Sequence, residues 1–382
     1  MKLLLIEIIG RIRRLLFSPE DFFLGLKSRK KNQKTYLFLA INGAGLGHLT
    51  RCLAIAKKVK AESEASEIIF VTTSVAVQLV HQHGFLCYHI PPFGLNSDVT
   101  SRKWNRFFGD SLSKIVRLHC PDVLVFDGTY IYRGLRRVME QFPFVKYIWI
   151  RRGGGKERLG VQFREMESLF SQVIIPGEID VDSAETLGQK ITRIPPVLIC
   201  GKSEMLGRTQ ARERLGVAED KIAVYLQLGA GNINDINTLE ASIKRFFATR
   251  DKYQLIVARS PISIKNTGSY SVGELKDFPN SIYFNAFDIA ISACGYNSVA
   301  ELVSHQVPSI LLPNTSTGLD DQVRRAQLAA VNRYIKVMLD FDEQLFSNNI
   351  EELVTVGRST GEDSSGFSNG AIEAARLIVN GQ

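Results

Sequence analysis

A histidine closes a glycine-rich turn in "INGAGLGHLTR" (residues 41–51), just after the apolar run Tyr36–Ala40. Imidazole is the side chain whose ordinary titration falls nearest neutrality, so His48 is a candidate general base, with phosphate ligand or turn cap as the other reading. Asp127 ends a second apolar run, "DVLVFD" (122–127), and is a candidate base or orienting carboxylate. Glu301 follows a tight turn in "ACGYNSVAE" (293–301). There Asn297 and Ser298 are expected to cap a helix and Glu301 to lie in its first turn, where a carboxylate accepts two hydrogen bonds from a ribose diol. Further on, Asp320, Asp321 and Gln322 offer acceptors and an amide to sugar hydroxyls. Arg151 and Arg152 in "IRRGGGK" (150–156) form a candidate phosphate clamp, or else part of a solvated basic loop.

Elements must carry these groups to one place. Short β-rich runs alternate with helical stretches: strands are expected at 36–41, 67–73, 87–90, 122–127, 146–150 and 172–176. The series restarts after the double proline of "RIPPVLIC" (193–200), with strands expected at 222–231, 253–259, 281–284, 288–293 and 308–313. Such alternation implies parallel sheets with helices on both faces. Each half has a glycine turn after its first strand, "NGAGLGH" (42–48) and "LGAGNIND" (228–235). Gly45, Gly47, Gly229, Gly231 and Asn232 would let backbone approach a phosphate beside a helix N-terminus. Ligands of open parallel sheets sit beyond the carboxyl ends of the strands, so the halves should share one cleft.

Two common cofactor readings fall back. A dinucleotide fingerprint wants a third glycine where His48 stands and an acid near the end of the second strand, where Thr72-Thr73-Ser74 stands instead. A Walker loop fails because Pro196 occupies the first glycine's place before "GKS" (201–203).

The chain has 382 residues, 45% hydrophobic and 23% charged, enough for two cored domains. Its five cysteines show no paired spacing, which fits a reducing, cytoplasmic compartment. The net charge of +8 is concentrated in residues 1–34, which carry +6, so the body is nearly neutral and nucleic acid is not an expected partner. In that stretch Leu4, Leu5, Ile8, Ile9, Ile12, Leu15 and Leu16 share one helical side opposite Glu7, Arg11 and Arg14. The expectation is an N-terminal amphipathic helix lying peripherally on an anionic membrane, at its inner face, aided by "KSRKK" (27–31); a helix packed on the protein itself is the alternative.

The run "GYNSVAE … P … DDQVRRA" within residues 288–330, read with the two glycine loops, resembles the family-28-like branch of GT-B glycosyltransferases. That branch includes the peptidoglycan N-acetylglucosaminyltransferase and the plant galactolipid synthases. The resemblance spans roughly residues 35–380. It implies an α/β fold of two Rossmann-like domains facing a central cleft: an acceptor domain at 35–195, a donor domain at 196–365, and a final helix, 366–382, crossing back. It further implies that Gly295, Tyr296, Asn297 and Ser298 form the turn cradling the donor diphosphate, and that Glu301 binds the ribose. By the same resemblance Asp321 and Gln322 contact the donor sugar, Gly229, Gly231 and Asn232 form a second diphosphate loop, and Phe278 lies where the base is held. The peptidoglycan enzyme has two glutamines where this chain has Asp321-Gln322, which leaves the sugar open.

The expected activity is inverting transfer from a nucleotide sugar, a UDP-sugar foremost, to a glycan or lipid-linked acceptor, with His48 or Asp127 as base. Loop amides and helix dipoles can hold a leaving diphosphate, so neither metal nor cofactor is expected. A nucleotide-sugar hydrolase, a 2-epimerase of the same fold and a non-catalytic nucleotide-sugar-binding or tethering subunit stay open as alternatives.

Overall fold

A computed structural model describes residues 33–41, 45–94, 99–151, 165–181, 183–187, 190–229, 237–262, 273–315, 320–358 and 368–381. The expected amphipathic segment lies outside these, apart from its last two residues. The first sheet contains β1 (Thr35–Ala40), β2 (Glu67–Thr72), β3 (Leu86–His89), β4 (Val123–Asp127), β5 (Lys146–Ile150), β6 (Gln172–Pro176), β7 (Glu185–Leu187) and β8 (Ile191–Ile194). They run β3-β2-β1-β4-β5-β6-β8-β7, parallel except for β7 against β8. The second sheet contains β9 (Ile222–Gln227), β10 (Tyr253–Ala258), β11 (Gly273–Leu275), β12 (Ile289–Ala293), β13 (Ser309–Leu312) and β14 (Ile335–Val337). Its order is β11-β10-β9-β12-β13-β14, all parallel. All six residues of β1 are buried, as in a strand covered by helices on both faces, which is why "TYLFLA" reads as a nearly unbroken apolar run.

One expected strand is absent. Residues 281–284 ("SIYF") belong to a 3-10 helix, Asn280–Ala286. Pro279 at its entry has no N–H to give a ladder. Asn280 Nδ2 bonds the Tyr225 hydroxyl at 3.2 Å and Asn285 Nδ2 the Leu206 carbonyl at 2.8 Å, so the asparagines serve neighbouring segments. The short strands β7, β8, β11 and β14 carry too few residues for a clear period.

The double proline ends β8's pairing and leads into Val197–Cys200. Val197, Ile199 and Cys200 bury themselves in the first half's core while Leu198 enters the second's. The helix Gly370–Asn380 then returns to the first half. Its Ala371, Ala374, Ala375 and Ile378 pack with Leu49, Cys52, Leu53 and Ala56 of the helix Gly47–Glu62, small side chains that let the two helices lie close. Asn369 clasps the connection: its Oδ1 accepts from Leu198 N at 3.0 Å and Ala371 N at 2.9 Å, and its Nδ2 donates to Leu198 O at 2.9 Å.

Gly370 is the tightest point of this return, since a Cβ there would stand 2.0 Å from the Pro195 carbonyl oxygen. Gly370→Ala should therefore cost about 1–3 kcal/mol in chemical denaturation. Unchanged stability would show that the helix does not seat against the connection.

Candidate functional site

Strand order reverses between β1 and β4 in the first sheet and between β9 and β12 in the second. Open α/β sheets form a crevice at the strand ends on either side of such a reversal. The turns after these four strands hold most of the residues singled out in the sequence. Register does the rest in the first half: Ala40 of β1 pairs with Asp127 of β4, and Ile41 N donates to Asp127 O at 3.0 Å, so β1 ends beside Asp127.

His48, in the first turn of Gly47–Glu62, and Asp127, the last residue of β4, meet with Nδ1 at 2.6 Å from Oδ1. Asp127 has no exposed side-chain surface, while His48 is 23% exposed. The missing partner in the sequence reading was Arg51, one helical turn beyond His48 and inside the same quoted motif. Its Nε donates to Asp127 Oδ2 at 2.8 Å and its Nη2 to Oδ1 at 2.5 Å, a bidentate buried pair. Burial alone would raise the Asp127 carboxyl, but Arg51 and His48 outweigh it and hold the group below its ordinary range. A carboxylate accepts only, so the short contact assigns a proton to His48 Nδ1, and in the neutral ring Nε2 is then the acceptor nitrogen. Nε2 has no partner among the described residues. A fully buried, doubly bonded Asp127 is placed to orient the ring rather than to meet a substrate itself.

In the second half, the helix Tyr296–Ser304 starts at Gly295. Gly295 is its N-cap, so Asn297 and Ser298 lie inside the first turn and Glu301 in the second, one turn later than the sequence suggested. Ser298 Oγ donates to Gln227 Oε1 at 3.2 Å, tying the turn to the end of β9. Asn297 Nδ2 reaches Gly47 O at 3.4 Å, bringing this turn against the His48 turn of the other half. Among the described residues, the buried Oδ1 of Asn297 and Oε1 of Glu301 have no hydrogen-bond partner, so both can accept from a polar group. Burial pushes the Glu301 carboxyl up to about 7, against the pull of the Ser281 hydroxyl and the Ile199 backbone. A Cβ at Gly45 or Gly47 would meet nothing within 4 Å, so the first turn borders open space. Gly229 takes φ +93°, a left-handed conformation that favours glycine. Phe278 is half-buried, with a cis bond to Pro279.

Other candidates are engaged differently from expectation. Tyr296 is 6% exposed and its hydroxyl donates to Gly177 O at 2.7 Å, so its side chain serves the junction of the halves. Asp321 caps its own helix by accepting from Arg324 N at 3.0 Å. Gln322 Oε1 accepts from Asn314 N at 3.0 Å and its Nε2 donates to Asp320 at 3.3 Å, which shapes the loop before it can touch a sugar. Arg151 pairs with Glu167 at 3.1 Å, so an acceptor phosphate would have to displace that carboxylate. Gly231, Asn232 and Arg152 lie outside the described residues. The sequence reading also gave no role to Glu178 or Arg325. Arg325 Nε and Nη2 each meet a Glu178 oxygen at 2.8 Å, a buried pair between the halves. Arg325 had a visible signal, its place in "DDQVRRA"; Glu178 had none.

Two facing Rossmann-like halves, each with a crevice at its strand reversal, define the GT-B class. No family model matches the chain. Over 327 residues, 75% of this chain and 80% of the relative, it is 26% identical to the UDP-N-acetylglucosamine–N-acetylmuramyl-(pentapeptide) pyrophosphoryl-undecaprenol N-acetylglucosamine transferase of Acetivibrio thermocellus. The spinosyn forosaminyltransferase superposes with TM-score 0.61 at 15% identity, covering 92% of this chain and 96% of that one. The UDP-GlcNAc 2-epimerase of Neisseria meningitidis, bound to UDP-GlcNAc, gives 0.56 at 10% identity, over 91% and 99%. The chain has the GT-B fold and is similar in sequence to N-acetylglucosamine transferases of the family-28-like branch. The fold alone does not separate it from the epimerase.

The Glu301 shift has a sign that stability can report. A carboxyl raised from 4.5 to about 7 binds its proton more tightly in the folded state, so folding loses ground as pH rises between those values. Glu301→Gln should be more stable than wild type by roughly 1–3 kcal/mol at pH 8, with the gain vanishing near pH 4. A pH-independent difference in ligand-free protein would contradict a carboxyl whose protonation is favoured by burial.

Proposed function

We propose that the chain transfers a sugar from a UDP-sugar to a hydroxyl of a lipid-linked glycan acceptor, with inversion and without a metal. The observation that carries this reading is His48, its Nδ1 fixed on buried Asp127 and its Nε2 left for a substrate proton. As the acceptor oxygen bonds to the anomeric carbon, Nε2 takes the hydroxyl proton and the carbon–oxygen bond to the diphosphate breaks. The leaving group keeps the electron pair. N–H groups at the starts of Gly47–Glu62 and Tyr296–Ser304 stabilise its charge, and Glu301 accepts from the ribose diol. Asp321 and Gln322 line the sugar side, Gly229 the second phosphate loop and Phe278 the base. The acceptor class rests on the pyrophosphoryl-undecaprenol compound in the bacterial relative's name.

Two variants separate chemistry from binding. With a UDP-sugar donor, His48→Ala should lower turnover by roughly 10²–10⁴-fold at nearly unchanged donor affinity. Glu301→Ala should weaken donor binding by roughly 1–3 kcal/mol in calorimetry. The opposite pattern, weak binding from the histidine change and mild loss of turnover, would make His48 a phosphate ligand. Donor consumption equally fast without acceptor would favour a hydrolase or 2-epimerase.

Residues 1–34 supply the membrane side of the proposal, as a cytoplasmic, peripheral anchor. Removing them should abolish flotation with anionic vesicles at low salt while the donor-induced thermal shift persists. Full-length protein that does not float under those conditions would refute the anchor.

A further inference from the structure

Tyr296 stands between two guanidiniums from different halves. The Arg51 Cζ lies 5.6 Å from its ring centre and the Arg325 Cζ 5.7 Å, both within cation–π range. Arg51 is the cation that grips Asp127, and its Nη2 lies 3.2 Å from His48 Nδ1. Arg325 is fixed by Glu178 of the first half, by the Cys294 carbonyl at 2.8 Å and by Asp320 at 2.8 Å. The Tyr296 hydroxyl bonds the carbonyl of Gly177, the residue next to Glu178. A ring from the second half thus lies over the first half's arginine, and two of the bonds around it, Tyr296 to Gly177 and Arg325 to Glu178, cross between the halves.

We propose that Tyr296 is a positioning residue: its ring, packed between Arg51 and Arg325, shields Arg51 from water and so keeps His48 in a single tautomer and orientation only when the two halves are joined. The physical reason is the dielectric. A guanidinium–carboxylate pair sealed from water keeps a fixed geometry, while a wetted one exchanges its hydrogen bonds with solvent. With Asp127 Oδ1 shared between Arg51 and His48, any loosening of Arg51 reaches the imidazole directly. The device would confine the reactive arrangement to the closed cleft. Its meaning for catalysis rests on the proposed role of His48 as base; the positional claim itself does not.

The test uses ¹⁵N-histidine-labelled full-length protein at alkaline pH, with no donor or acceptor. The His48 signals are identified by their loss in His48→Gln. Wild type should show a widely separated pair of nitrogen resonances, the mark of one neutral tautomer protonated at Nδ1. Tyr296→Phe keeps the ring and should keep this pair. Tyr296→Leu removes the aromatic face, and the two resonances should move toward the average of both tautomers. His119, whose Nε2 meets the Tyr88 hydroxyl at 2.8 Å in the same half, serves as the folding control and should not move. In assays of transfer, Tyr296→Leu should lose about 10- to 100-fold in turnover and Tyr296→Phe much less. An unmoved His48 pair in Tyr296→Leu overturns the proposal, and so does an averaged pair in Tyr296→Phe. Should Tyr296→Leu disturb His119 as well, Tyr296→Met, nearer the ring in length, takes its place with the same expected and overturning results. Inactivity toward every nucleotide sugar with the expected spectra would refute the transferase reading and leave the positioning role intact.

Discussion

A carboxylate with no exposed surface must be matched by charge and hydrogen bonds, and Asp127 sets that requirement at the centre of this molecule. Desolvation opposes its negative charge, and the opposition is met by Arg51 on both oxygens and by His48 on one. Much of the first half's architecture brings these three together. The β1–β4 pairing puts Asp127 beside the end of β1, and the turn into Gly47–Glu62 places His48 and Arg51 one helical turn apart on the face toward it. Replacing Asp127 or Arg51 would leave a buried charge unmatched, so fold stability and site geometry are one constraint.

The same helix is held from the other side. Gly370–Asn380 packs along it, clasped through Asn369 to the connection between the halves. The Glu178–Arg325 pair and the Asn297–Gly47 contact add two further ties across the cleft. These contacts fix where His48 stands relative to Glu301 and the start of Tyr296–Ser304. The two half-sites therefore face each other, with the His48 ring on one side and, on the other, Asn297 and Glu301 oxygens that have no partner among the described residues.

The larger plan was legible in the sequence because it rests on local signals. Apolar runs such as "TYLFLA" and "KYIWI" coincide with buried parallel strands, and each glycine turn follows a strand at a reversal. Pairwise chemistry was less legible. His48 and Asp127 were both candidates for the base, with an orienting role also open to Asp127, since nothing in a linear spacing of 79 residues reveals that they touch. Tyr296 was grouped with the donor turn because its neighbours belong there, yet its side chain points into the junction. The strand expected at "SIYF" failed because one proline and two asparagines outweighed β-favouring neighbours. Glu178 could not be found at all, because its partner lies 147 residues away.

The proposed chemistry has a stereochemical consequence. A single displacement with His48 on the face opposite the leaving diphosphate inverts the anomeric carbon. The direct measurement is the proton NMR coupling of the new anomeric centre after reaction of a UDP-α-sugar with a lipid-linked acceptor. A β-linked product, absent in His48→Gln, is the predicted result. An α-linked product, or a β-linked one formed at the same rate without His48, would contradict the assignment of the base.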